Sequence, residues 1–150
     1  MQMLWVTREK PHVDRCASAW LIKRFVDRQA NFQFIAKGDD IPNRAIGFTL
    51  PKAELSPVEG VKTTFDAIME KYQVNDAVLR KIGDIIRDFE FHEARLEEIQ
   101  LKETLGACYI LKGLEKTSKT DEETITKAIV VMDALYASLK DHRGATSASP

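Results

Sequence analysis

The chain has 150 residues, the size of one domain, and its 44% hydrophobic and 30% charged residues are ordinary for a globular protein. Its 22 Lys and Arg residues balance 23 Asp and Glu residues, which argues against extensive binding to nucleic acid or anionic lipid. The apolar runs are too short to cross a bilayer, and the first residues do not have the pattern of a signal peptide. We therefore expect a cytoplasmic protein with no membrane partner and no direct nucleic-acid partner.

The first 50 residues predict three strands and one helix. Residues 3–7, 32–36 and 45–50 are short apolar or alternating segments, which is typical of strands. Between the first two, Asp14 is predicted to cap a helix that ends at about Asp27. Strand, helix and strand in this order form a βαβ unit, so the first two strands should be parallel.

The remainder of the chain predicts four helices. Their expected boundaries are a capping box of Thr63 with Asp66, a cap at Asn75, a helix over residues 96–112 that stops at Gly113, and a capping box of Thr120 with Glu123. Residues 144–150 are small and polar and are predicted to be a disordered tail. The expected fold is therefore a helix-rich α/β to α+β domain over residues 1–143, with a small three-stranded sheet in its N-terminal part.

Two arginines flank the loop between the first strand and its helix. Arg8 should end the strand, and Arg15 should lie in the first turn of the helix. Ligands of parallel sheets usually bind at this carboxyl edge, and the free N–H groups of a helix start favour an anion. The alternative is that both side chains are solvated beside Glu9 and Asp14, where each contributes little.

A third arginine, Arg24, is predicted on the buried side of the first helix. At regular helical spacing it falls within the apolar arc that also holds Trp20. A buried guanidinium keeps its charge and needs a carboxylate or an anionic ligand. An internal ion pair, with Asp66 or another acid, and a ligand contact both meet that need.

The cysteines and histidines predict no metal site. Cys16 and Cys108 are far apart and belong to no Cys/His cluster, and buried, inert thiols are the favoured interpretation of both. The position of Cys16 beside Arg15 and a helix start is the one feature that would lower its thiol pKa. His92 stands in an acidic stretch that is interpreted as a solvated loop rather than as a set of metal ligands.

A run of residues near the N-terminus resembles the opening motif of the ChrB-type domain of chromate-resistance proteins. The run comprises Trp5, Thr7, Arg8, Pro11, Asp14, Arg15, Ala17, Trp20, Leu21, Ile22, Arg24 and Phe25. The likeness continues more loosely through residues 30–34, 64–66, 74–87, 106–113 and 133–136. It covers nearly the whole chain and implies a role in chromate resistance, as part of a stress response.

The chain also departs from this family. The family often has a cysteine where Ser18 stands, and a histidine and a cysteine near Pro57 and Thr63. If those groups bind metal or perform redox chemistry in relatives, this chain is expected to lack that chemistry. Longer members carry an N-terminal regulatory region tied to control of gene expression. The sequence begins at the motif, so we do not expect direct DNA binding.

Three hypotheses about function follow. The first is a module that binds or responds to an oxyanion, with a site formed by Trp5, Thr7, Arg8, Asp14, Arg15, Trp20 and Arg24. The second is a small enzyme with an anionic substrate, in which Asp14 or Asp66 is the acid–base group. The third is a protein–protein module, docking through the C-terminal helices on a partner or on a second copy of the chain. The sequence identifies no cofactor.

Overall fold

The computed structural model describes residues 3–148, and the side chains of residues 3–142. Three strands form one sheet: β1 (Leu4–Arg8), β2 (Asn31–Ile35) and β3 (Ile46–Gly47). Their order in the sheet is β2-β1-β3, and both neighbours run parallel to β1. The predicted three-stranded sheet is confirmed, although β3 is shorter than the segment 45–50.

One helix joins β1 to β2 and completes the predicted βαβ unit. It consists of α1 (Val13–Leu21) and a π-helical turn (Ile22–Val26) that continues it. The N-cap residue is His12, whose side chain makes no capping hydrogen bond. The prediction of Asp14 as the cap is therefore wrong, because Asp14 lies inside the first turn and its carboxylate binds another helix.

The remaining helices agree with the expected number. They are α2 (Thr64–Lys71), α3 (Ala77–His92), α4 (Lys102–Thr117) and α5 (Asp121–Ala148), with a 3₁₀ turn (Leu96–Glu98) before α4. A helix-rich α/β fold with an N-terminal βαβ unit and four further helices is thereby confirmed.

The start of α2 follows the sequence signal closely. Thr63 accepts a hydrogen bond from the backbone of Asp66, and the Asp66 carboxylate accepts one from the backbone of Thr63. The cap of α3 is one residue later than predicted. The Asp76 carboxylate, and not Asn75, accepts the N–H groups of Val78 and Leu79.

Both predicted ends of α4 are wrong. Residues 96–98 form a separate 3₁₀ turn, and the helix begins at Lys102, where the Asp88 carboxylate accepts the N–H groups of Gln100 and Leu101. Gly113 does not take a positive φ, so it does not form the predicted terminating cap, and the helix continues to Thr117.

The start of α5 shows one half of its predicted capping box. The backbone N–H of Glu123 donates to the Thr120 hydroxyl at 3.1 Å. The Glu123 carboxylate binds the N–H of Lys119 and not that of Thr120. The domain boundary at 143 and the disordered tail at 144–150 stay predictions, and residues 149 and 150 lie outside the described part of the chain.

The main core lies on one face of the sheet, around α1. Trp5, Trp20, Phe48, Phe65 and Phe89 are each at most 2% exposed in this cluster, which extends to α4 and α5. A smaller cluster of Val6, Ile35 and Leu50 lies apart from it. Since successive strand residues face opposite sides, Thr7 faces the main core and Arg8 faces the smaller cluster.

Within residues 3–148, no helix is both long enough and apolar enough to cross a bilayer.

Candidate functional site: a cavity at the carboxyl edge of the sheet

A cavity of about 610 Å³ lies beside the carboxyl end of β1. Four segments form its wall: the start of α1, the chain after β3, the loop over residues 57–63 and the last turns of α3. The charged and hydroxyl-bearing side chains that line it include His12, Asp14, Arg15, Thr49, Lys62 and Glu90. We call it the Arg15 cavity.

Arg15 is held in this wall by neutral oxygens. Its Nε donates to Thr7 Oγ1 at 3.2 Å, and its Nη2 donates to the Thr49 carbonyl at 2.8 Å. The Thr7 hydroxyl in turn donates to the Phe48 carbonyl at 2.7 Å. Among the described residues no carboxylate lies within 4.0 Å of the guanidinium, so Arg15 has no ion-pair partner. Burial, followed by the nearby Arg8, lowers the pKa of Arg15, and the carboxylates of Asp14 and Glu90 partly oppose that shift from a distance.

Asp14 has a structural role beside the cavity. The residue is 8% exposed, and its carboxylate accepts the backbone N–H groups of Thr64 at 2.8 Å and Phe65 at 3.1 Å, the first residues of α2. The Ser18 hydroxyl donates to the same carboxylate at 3.2 Å. Burial raises the pKa of Asp14, and these hydrogen bonds oppose that rise. The carboxylate therefore ties α1 to the N-terminus of α2.

Glu90 is a candidate site residue that the sequence reasoning missed. Its Oε1 accepts the backbone N–H of Asp14 at 3.1 Å, at the start of α1, and its side chain is exposed to the Arg15 cavity. The residue is exposed at the mouth of a concave wall, where surrounding protein still displaces part of its water. This displacement, followed by the nearby Asp14 carboxylate, raises the pKa of Glu90 to about 7. The acidic stretch around His92 is the end of α3 and not the predicted loop. A helical interpretation of that stretch would have placed Glu90 on a helix, and this is the signal in the sequence that could have identified it.

Arg8 lies at a different cavity. This second hollow, of about 650 Å³, is lined by Arg8, by Leu50 to Lys52 and by the chain after β2. Arg8 forms no hydrogen bond or ion pair with the described residues. It is close enough to Arg15 to repel it, but the two guanidiniums do not line a common cavity.

Trp5, Trp20 and Arg24 do not line the Arg15 cavity. The indole of Trp5 donates to Asp27 at 2.9 Å, and that of Trp20 donates to Asp133 at 2.8 Å. Arg24 binds both oxygens of Asp133, at 3.0 and 2.8 Å, and its side chain is 44% exposed.

The expectation that Arg24 is buried is therefore wrong. It assumed a regular α-helix, and the wider π-helical turn at Ile22–Val26 rotates each residue by less than the regular angle. An ion pair does form, as one of the two alternatives expected, but with Asp133 on α5 and not with Asp66.

Asp66, the other candidate acid–base group, does not line the Arg15 cavity. Besides the capping bond at the start of α2, its carboxylate accepts hydrogen bonds from Arg87 Nε and Nη2, each at 3.2 Å. Every acceptor oxygen of Asp66 is thus engaged in holding α2 against α3.

Both thiols are buried, as the favoured interpretation expected. Burial raises the pKa of both Cys16 and Cys108 to about 12, which suppresses their thiolates. His92 contacts the Asp88 carboxylate at 2.9 Å. Among the described side chains, no three His, Cys, Asp or Glu groups are arranged to hold a metal ion.

The three positions at which the resemblance predicts a departure from the family are near the same cavity. Pro57 and Thr63 line it, and Ser18 is hydrogen-bonded to Asp14 in its wall. Positions that are separate in the sequence thus meet around one space.

Comparison with known proteins shows the family. Residues 5–139 match the family model described as "ChrB, C-terminal domain". The chain is 27% identical over 140 residues to Protein ChrB of Cupriavidus metallidurans, an alignment that covers 93% of this chain and 41% of that protein. The chain thus spans about two fifths of this relative's length, and no solved structure matches it. The chain belongs to the ChrB C-terminal domain family, as the resemblance to chromate-resistance proteins implied.

Proposed function

We propose that this chain is a cytoplasmic, chromate-resistance-related protein that binds a small oxyanion in the Arg15 cavity. The observation that carries this proposal is the state of Arg15. Its guanidinium is half-buried, is oriented by Thr7 and Thr49, and has no carboxylate partner among the described residues.

The physical argument rests on charge. A guanidinium cannot shed its proton, and removing it from water is costly unless a negative charge compensates it. Thr7 and Thr49 orient the group without neutralising it, and no described residue accepts a hydrogen bond from Nη1. An oxyanion at this position gains charge-assisted hydrogen bonds from a donor that is already fixed. The location, at the carboxyl edge of a parallel sheet, is where such folds usually bind ligands.

The other members of the expected site have different roles in this proposal. Trp5 and Trp20 are core residues whose indole N–H groups bind aspartates. Arg24 is neutralised by Asp133. Arg8 does not line the Arg15 cavity and contributes only through its electric field.

Calorimetric titration with chromate, phosphate and sulfate tests the proposal. We expect Arg15→Gln to weaken anion binding by about 10- to 100-fold, since a charge-assisted hydrogen bond contributes roughly 1.5–3 kcal/mol. Arg24→Gln is the matched control, because it removes the same charge from a residue already paired with Asp133.

Two results would contradict the proposal. One is a folded wild-type protein that binds none of the three anions at millimolar concentration. The other is an equal loss of binding in the Arg15 and Arg24 variants, which would show that general charge and not the cavity attracts the anion.

The alternative functions have less support. The oxygens of Asp14 and Asp66 are occupied by hydrogen bonds that hold α2, which leaves neither poised as an acid–base group. Tyr109, Ile110 and Val130 are exposed apolar side chains on α4 and α5, but the described residues do not show what would cover them.

A further inference from the structure

We infer that Glu90 makes the Arg15 cavity selective for oxyanions that carry a proton, such as hydrogen phosphate and hydrogen chromate, over sulfate. This inference rests on the proposed anion site. It adds the substrate class of that site and the residue that determines it.

The first step is the geometry. Glu90 and Arg15 line the same cavity and are close enough to interact electrostatically, so an anion bound between them would contact both groups. Glu90 is fixed at Oε1 by the backbone N–H of Asp14. Its Oε2 accepts no hydrogen bond from the described residues and is free to contact a ligand.

The second step is the complementarity of donors and acceptors. An ionised carboxylate only accepts hydrogen bonds. Sulfate carries no proton near neutral pH, so its oxygens also only accept, and their approach to Glu90 is repulsive. Hydrogen phosphate retains one O–H group, which donates to Glu90 while its other oxygens accept from Arg15. Discrimination of this kind arises from the unpaired or repelled group in the wrong complex.

The third step concerns the neighbours of Glu90. The Asp14 carboxylate is held by the amides of Thr64 and Phe65. Lys62 is paired with Glu70 at 2.8 Å. His12 is paired with Glu115 at 3.0 Å. Glu59 also lines the cavity, on the exposed loop over residues 57–63, where no described residue donates a hydrogen bond to it. Among these carboxylates, Glu90 is therefore the one that is fixed at the start of α1 and still has an oxygen able to accept the proton of a ligand.

The test compares phosphate with sulfate by calorimetric titration near pH 8, above the raised pKa of Glu90. At that pH both anions are tetrahedral and carry nearly the same charge, so they differ mainly in the proton. We expect the wild-type protein to bind phosphate at least about 10-fold more tightly than sulfate. This comparison needs no variant.

Glu90→Gln identifies the residue responsible. The amide keeps an oxygen for the N–H of Asp14 and adds N–H donors, so we expect sulfate to bind more tightly and the preference to fall towards equality. Glu93→Gln is the control, since Glu93 directly follows the last residue of α3, is paired with Lys112 and does not line the Arg15 cavity. Circular dichroism confirms the fold of each variant.

The outcomes separate this inference from the proposed function. Equal binding of phosphate and sulfate, with both lost in Arg15→Gln, overturns the selectivity and leaves the anion site standing. A phosphate preference that persists in Glu90→Gln overturns the role of Glu90. Absence of binding by either anion to the folded wild-type protein overturns both the site and its selectivity.

Discussion

At the scale of single residues, two carboxylates connect three helices around one point. Asp14 accepts the first amides of α2 with its side chain, while its own backbone N–H donates to Glu90 on α3. Carboxylates at helix N-termini are favoured by the unpaired N–H groups and by the helix dipole. The carboxylates of Asp14 and Glu90 therefore brace the wall of the Arg15 cavity.

Removal of the Asp14 carboxylate should destabilise the protein. We expect Asp14→Ala to lower the free energy of unfolding by about 2–4 kcal/mol, because two buried amides of α2 lose their acceptor. Asp14→Asn keeps one acceptor oxygen and should cost roughly half as much. Urea denaturation followed by circular dichroism measures both. Asp40→Asn, on an exposed side chain, is the control, and an alanine variant as stable as this control would refute the capping role.

Prediction from the sequence placed some of these residues correctly and others not, for reasons that the structure explains. Arg15 was placed correctly at a helix start beside the sheet edge, since local pattern determines that position. Glu90 was missed because its relation to Arg15 depends on how α3 packs against α1, 75 residues away in the sequence. Arg24 was misplaced because helical spacing was taken as uniform through a π-helical turn.

At the scale of elements, Asp88 shows how one side chain defines a helix boundary. It accepts hydrogen bonds from the amides of Gln100 and Leu101 and from the Thr104 hydroxyl, the last at 2.7 Å. Strand and helix types followed from hydrophobic pattern and were predicted correctly. The hydrophobic pattern did not predict the exact start of α4, because the residue that caps this helix lies on the preceding helix and not next to it in the sequence.

The Asp88 cap should make stability depend on pH. Burial acts to raise the pKa of Asp88, but the hydrogen bonds from Thr104, Leu101 and Gln100 outweigh it and hold the pKa below its ordinary value of 3.8. The stabilisation is therefore complete above about pH 4 and is lost as the pH falls through the lower pKa of the folded protein.

We accordingly expect Asp88→Asn to be less stable than the wild type at neutral pH by about 1–3 kcal/mol, with a difference that shrinks on acidification. Urea denaturation over a pH series measures this difference. Thr104→Val removes one hydrogen-bond donor to the same carboxylate. Its loss of stability relative to the wild type should also shrink on acidification, but be smaller. A difference that stays constant down to about pH 2 would contradict the argument.

At the scale of the whole molecule, one core joins the sheet to the C-terminal helices. Trp5 contacts Tyr72 at a ring-centroid distance of 6.1 Å, and Trp20 stacks on Phe65 at 6.5 Å and contacts Tyr136 at 6.0 Å. The two tryptophans therefore report on different parts of the same cluster. Chain length and apolar content were enough to predict a single core, but not which helices would close it.

We expect this continuous core to unfold in one cooperative transition. Thermal melts of Trp5→Phe and Trp20→Phe, each followed by the fluorescence of the remaining tryptophan, should share a midpoint with their own far-UV circular dichroism. Loss of helical signal at a lower temperature than either fluorescence change would show that α4 and α5 melt as a separate unit.

The π-helical turn at Ile22–Val26 also has an evolutionary consequence. Such a turn contains one residue more than a regular helix needs over the same span, so a single deletion there restores regular geometry without moving the elements on either side. Elsewhere in α1 a deletion would rotate every later residue by about 100°. Length differences among family members should therefore collect in this segment, and a shorter relative would dispense with the contact between the counterparts of Arg24 and Asp133.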